Sequence, residues 1–316
     1  MPSVTVHLRL AQRALDRWSS RPRESPFDTS SDRLANAFRV GAMAPDMGFM
    51  PGGYRPLSDL AHALRSGTLT RALLASARTP LETAFAWGWV THVLADALVH
   101  PVIGCAVGEL VTGSPGRFID GDQDTLSHVR VEVGLDALYA ERYPELRETT
   151  FRPIGGAPQV GFIRRAYRGT YGVAPDRGRL ADSLFRVPRR MAQGLLLAGL
   201  SSRVMPSHRD ASGEDPGPLL RLRSRVGQTS VPTAFLFPAP PRLWLINAVR
   251  DVEEAFPDHI AEVIEDGAAY LPDLNLDTGR PDLEEVGYGG LHRAIHYIRT
   301  RGGSSPTLQG SMAQGA

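Results

Sequence analysis

Between Ala84 and Val111 the chain is almost continuously apolar, but His92, Asp96, His100, Pro101 and Glu109 interrupt it. Ionisable groups at that density are costly in lipid, so the stretch predicts a buried helix in a soluble bundle and not a membrane span. His92, Asp96 and His100 stand at i, i+4 and i+8. At roughly 100° per residue each four-residue step drifts by only about 40°, so the three side chains form one stripe. A solvated face ordinarily carries Glu, Arg, Gln or Ser, whereas this stripe holds only residue types that ligate zinc through nitrogen and oxygen.

Helical periodicity dominates elsewhere too, and convincing alternating strands are absent from the pattern. Helices are predicted near residues 5–19, 32–43, 57–77, 80–111, 124–142, 158–170, 179–201, 241–266 and 284–300, an all-α multi-helix bundle. Leu8, Ala11, Leu15 and Trp18 form the apolar face of the first of them. Gly and Pro cluster between helices at Pro45 to Pro56, Gly113 to Gly116 and Gly155 to Pro158. The expected organisation is a metal-binding helical catalytic domain over 1–204 and a flexible loop or linker over 205–218. A C-terminal helical segment over 219–301, packed on the catalytic domain, and a disordered tail over 302–316 follow.

The 35 basic residues, all arginine, nearly balance 34 acidic ones, so no global field draws the chain to nucleic acid or an anionic membrane. Without lysine, Schiff-base chemistry and a phosphate-loop lysine are excluded. Cys105 is the only cysteine, which rules out a disulfide framework and a cysteine-rich metal site. Arg9, Arg13, Asp16 and Arg17 break up any secretory signal in the first twenty residues, and a cytoplasmic location is expected.

A second pair, His128 and Glu132, is again spaced i, i+4 on the helix after the turn at Gly113 to Gly116. A short turn implies an antiparallel hairpin, on which this pair can face the first stripe. Upstream, His62 follows Ser58-Asp59, which reads as a capped helix start. Asp46 lies at a chain bend, and His7 falls near the start of the first helix. Five of the nine histidines thus precede residue 129 in the company of carboxylates.

The ordered set His7, Gly-Ala-x-x-Pro-Asp46, His62, His92-x-x-x-Asp96-x-x-x-His100-Pro101 and His128-x-x-x-Glu132 resembles the zinc-dependent phospholipase C family, whose fold is shared with single-strand-specific zinc nucleases. The resemblance covers about the first 145 residues and extends to the helices up to about residue 200. It implies one zinc held by Asp46, His62, His92 and Asp96, and a second held by His100, His128 and Glu132. A third would share Asp96 as a bridge and take His7. Here the chain departs from the pattern of that family's secreted members, in which the mature N-terminal residue completes the third site, because Met1 to Val6 precede His7.

By the same resemblance the chain is a zinc-dependent phosphodiester hydrolase using metal-bound hydroxide, with two or three zinc ions and Asp46 as general base. Its substrate would be a phospholipid or another phosphate ester, with transient contact to a membrane surface. The alternatives are a zinc nuclease acting on single-stranded nucleic acid and a family member recruited to a non-lipid biosynthetic substrate.

Other features carry less. Asp120-Gly121-Asp122-Gln123-Asp124 fails as a calcium loop, with Thr125 at position six and Val131 at position twelve, and reads as acidic capping of the helix bearing His128. His292 and His296 share a helix face but lack an acidic partner, and Cys105 reads as a small core residue. The loop Met47 to Tyr54 would either contact substrate or merely cover the site. Arg164-Arg165 and Arg189-Arg190 read as surface arginines before a phosphate clamp.

Overall fold

A computed structural model of the chain describes residues 4–50, 52–121, 123–146, 158–184, 238–268, 271, 273–276 and 280–281. The predicted helix over 284–300, the linker over 205–218, the tail over 302–316, and with them Arg189, Arg190, His292 and His296, lie outside these residues. What is described is all-helical but for one antiparallel pair of two-residue strands, β1 (Leu274–Asn275) and β2 (Arg280–Pro281).

The helices are α1 (Val4–Ser20), α2 (Asp32–Met43), α3 (Arg55–Ala63), α4 (Ser66–Ser76), α5 (Pro80–Thr112), α6 (Thr125–Arg142), α7 (Pro158–Tyr171) and α8 (Leu243–Glu265), with a helical stretch at 177–184. Helix α5 is the axis of the bundle, and α1, α2, α4, α6 and α8 all pack on it. By length and composition it could cross a membrane, yet 67% of its most apolar window is buried inside the fold. Its start follows from Thr79, whose side chain accepts the Glu82 N–H at 3.2 Å, while Glu82 in return accepts the Arg78 N–H at 2.7 Å. Its end follows from Gly113, which adopts the left-handed conformation at φ 78° and donates to Glu109.

Helix α1 buries the face formed by Leu8, Ala11, Leu15 and Trp18. The Trp18 ring meets Phe38 of α2 edge-on at 5.2 Å and Phe27 at 5.6 Å, which locks the first two helices together. Helices α2 and α5 cross in direct backbone contact through two glycines. A Cβ on Gly41 would sit 2.1 Å from the Phe85 carbonyl oxygen, and one on Gly88 would sit 2.0 Å from that of Phe38. Only glycine permits this approach.

The helix predicted over 57–77 is two helices. Leu64 is extended and Arg65 left-handed at φ 49°, so the chain turns before α4. The left-handed residue is held in place from outside, its guanidinium donating to the Thr170 carbonyl of the segment that packs on α4. The start of α3 also differs from expectation. It begins at Arg55, with Pro56 in its first turn, which places Ser58 inside the helix instead of at its cap.

Candidate metal centre

All eight residues singled out by the sequence are buried, none more than 4% exposed, and they meet in the middle of the bundle. Helix α1 contributes His7, the 3₁₀ turn Ala44–Gly48 contributes Asp46, α3 contributes His62, α5 contributes His92, Asp96 and His100, and α6 contributes His128 and Glu132. Three groups of ligand atoms form, each with every atom within 4.8 Å of the others: Asp46, His62 and His92; His7, His92 and Asp96; His100, His128 and Glu132. Thus His92 stands in the His7 group as well as in the first.

Asp96 joins the groups. Its Oδ2 lies 3.1 Å from His92 Nε2 and 3.6 Å from His62 Nε2, whereas its Oδ1 lies 3.0 Å from His7 Nε2 and 3.6 Å from His100 Nε2. In the upstream group Asp46 Oδ1 is 3.0 Å from His62 Nε2 and 3.8 Å from His92 Nε2. In the downstream group Glu132 Oε1 is 2.9 Å from His128 Nε2 and 3.3 Å from His100 Nε2. The rings of His7 and His92 stack with centroids 4.1 Å apart.

Which ring nitrogen is available follows from what the other one touches. The Nδ1 of His62 lies 2.8 Å from the Ser58 carbonyl, and the Nδ1 of His92 lies 2.9 Å from the Ala42 carbonyl in the last turn of α2. His100 Nδ1 meets the Leu276 carbonyl. A carbonyl only accepts, so each Nδ1 carries the proton and each neutral ring offers a bare Nε2. The Nε2 atoms of His62 and His92 then face one another at 3.3 Å. Beside them, neither oxygen of Asp46 receives a hydrogen bond among the described residues, although the side chain is 1% exposed.

Acceptors turned toward each other in a buried space are unfavourable unless a cation lies between them. The donor set, neutral imidazole with carboxylate and no sulfur, fits zinc, and the Nδ1–H bonds to carbonyls are the outer partners zinc-ligating histidines use. In the metal-free protein burial would raise Asp96 and Glu132, but positive charge and N–H donation from the imidazoles of His92, His100 and His7 around the first, and of His128 and His100 around the second, hold both well below the usual carboxylate range. Burial and the neighbouring His92 push His7 down, against the pull of Asp96.

Three contributors escaped the sequence reading. Ser58 takes the Gly48 N–H at 2.8 Å and donates to the Pro45 carbonyl, which fixes the turn that presents Asp46. Asp136 accepts the N–H groups of Val4 and Thr5 at 3.0 and 2.6 Å and so anchors the first turn of α1, one turn before His7. It was within reach of the pattern, since His128, Glu132 and Asp136 continue the same four-residue spacing. Leu276 had no signal at all, because any residue offers the same carbonyl.

The remaining candidates settle as follows. Asp124 caps α6, accepting the Ser127 N–H at 2.9 Å, and Asp120 accepts that of Gln123 at 2.9 Å; Asp122 lies outside the described residues. Cys105 is half-buried. Of the loop after Asp46, Met47, Met50 and Tyr54 are core residues, and half-buried Phe49 sets its ring 4.9 Å from that of His62. Arg164 donates to the Pro175 carbonyl and Arg165 pairs with Glu82 at 3.2 Å.

Comparison with known proteins extends the geometry. The family model for zinc-dependent phospholipase C matches residues 6–174, a segment that includes all eight converging residues. No curated protein and no solved structure gives a significant match. With more than half of its length matched, the chain belongs to the zinc-dependent phospholipase C family.

Proposed function

We propose that the chain is a phosphodiesterase of the phospholipase C type, hydrolysing the bond between phosphate and the diacylglycerol part of a phospholipid or a closely similar ester. The observation that carries this reading is Asp96, whose two oxygens face different sets of histidines, so that one carboxylate would serve neighbouring ions. Such a bridge suits two or three zinc ions close enough together to act on one phosphate group.

Zinc, when bound, supplies a water of lowered pKa and positive charge beside the phosphoryl oxygens. The protein does the rest. His62, His92 and His100 are turned by their carbonyl partners so that each Nε2 points into the site without a further change of proton position. Asp46 is the proposed general base. Held by the Ser58-braced turn, it can bind through one oxygen and accept the proton of the attacking water through the other. Phe49, half-buried against His62, is the nearest candidate for contact with an apolar part of the substrate.

The test offers zinc-loaded protein a chromogenic phosphocholine diester and single-stranded DNA side by side. Turnover of the diester supports the proposal; turnover of DNA alone replaces it with a nuclease, and turnover of neither points to a recruited, non-lipid substrate. Asp46→Asn should retain zinc better than it retains activity if the residue is a base as well as a ligand, and equal losses would reduce it to a ligand.

A further inference from the structure

The metal-site histidines draw on main chain from two kinds of place. The acceptors for His62 and His92 belong to α3 and α2, inside the family-matched segment. The acceptor for His100 is the carbonyl of Leu276, 176 positions along the chain and outside that segment. The N–H of the same Leu276 donates to the His62 carbonyl at 2.7 Å. One peptide position therefore ties together residues of the upstream and the downstream groups.

The way this segment is seated shows that the contact is built. Asp273 sits over the N-terminus of α4, where its carboxylate accepts the Thr68 N–H and the Thr68 hydroxyl, each at 2.7 Å. Ser66 Oγ donates to the Leu274 carbonyl at 2.7 Å and accepts the Leu274 N–H at 3.0 Å. Arg71 donates to the Leu271 carbonyl at 2.6 Å. Leu271, Leu274 and Leu276 also wall a cavity of about 200 Å³ against Val93, Leu94 and Ala97 of α5. The segment is thus located by polar anchors on α4, with space left beside its apolar side chains.

We propose that residues 273–276 form a positioning strap for the downstream half of the metal centre, in which the Leu276 carbonyl fixes the tautomer and direction of His100. The inference rests on the reading that His100, His128 and Glu132 hold an ion. It implies an asymmetry: the carbonyls that orient His62 and His92 stay in place when the strap loosens, and the one that meets His100 moves away.

The experiment compares the unsubstituted protein with Ser66→Ala/Asp273→Ala, which removes anchors of the strap and touches none of the eight converging residues. Zinc retained per chain is measured against rising chelator, with circular dichroism in parallel. In the cobalt-substituted protein, the absorption band missing from His128→Ala marks the downstream ion. The expected result is that this ion leaves the double variant at roughly ten-fold lower chelator, while the remaining metal and the helical content hold. Asp273→Asn, which keeps an acceptor for the Thr68 N–H, should restore most of the retention.

Unchanged release, or loss of all ions in step with helix, would overturn the strap's role. If the double variant does not fold, Asp273→Ala alone is read the same way, and native-like release of the marked ion overturns the proposal. A native chain that retains no zinc would instead bring down the metal-centre reading itself, and the strap with it.

Discussion

The two halves of the centre are built differently. The upstream residues are oriented by groups close at hand: His62 bonds the carbonyl four residues earlier on its own helix, His92 bonds the end of α2, and Asp46 sits on a turn braced by Ser58. The downstream residues depend on distant chain, with His100 aimed by Leu276 and α6 tied through Asp136 to the first turn of α1. Bracing of the upstream half needs no more than the packing of α2, α3, α5 and the turn between them. Long-range bracing is complete only when the C-terminal region has docked, so the downstream half is the one that conditions and variants should disturb first.

Asp96 is the residue whose two oxygens approach histidines of both halves, and its removal should have the largest effect. Asp96→Ala is expected to lose zinc from both groups and to reduce turnover by more than the ~10²–10³-fold cost of one transition-state donor. Zinc analysis showing loss from one half only would mean that the carboxylate does not bridge. Next comes removal of all metal. Without ions the acceptor-lined core is uncompensated, so chelation should lower the melting temperature by on the order of 10 °C. A melting curve unmoved by chelator would leave the halves as ordinary buried polar clusters.

A smaller effect separates the halves. Gly88→Ala drives a methyl into the Phe38 carbonyl and must push α2 off α5, at a cost of about 1–3 kcal/mol. It also displaces the Ala42 carbonyl from His92, so the upstream ions should weaken while the ion marked by His128 stays. Equal weakening of both would show that the bracing is not local. The smallest expected effect is one of pH. His7 is lowered in the fold from its ordinary 6.5, so the unfolded chain takes up its proton first as pH falls. The metal-free chain should therefore lose stability between pH 7.5 and 5.5. The depressed carboxylates contribute nothing in this window, because they are ionised in both states throughout it. Melting of chelated protein at the two pH values checks this, and no decline would contradict the sign.

Much of the site was legible because periodicity reports directly on which side chains share a helix face. His92, Asp96 and His100 on α5, and His128 and Glu132 on α6, needed only the helical repeat to be placed together. The axis helix was legible from its long apolar run, with the turn at Gly113 to Gly116 marking its end. What could not be read were contacts made by main chain, since Ser58, Ala42 and Leu276 lend carbonyls that any residue would supply. The break at Arg65 was hidden too. Arginine has no preference for a left-handed backbone, and the turn is secured by Thr170, more than a hundred residues later in the chain.

Three of the converging side chains sit on α5, a single 33-residue rod. Their mutual spacing is set by the helical pitch and cannot drift, so any opening that lets an ion in or out must come from the surrounding pieces. Helices α1 and α6 and the turn at Asp46 are then the moving parts of metal exchange. Amide hydrogen–deuterium exchange in the metal-free protein should find them quickening while the middle of α5 remains slow.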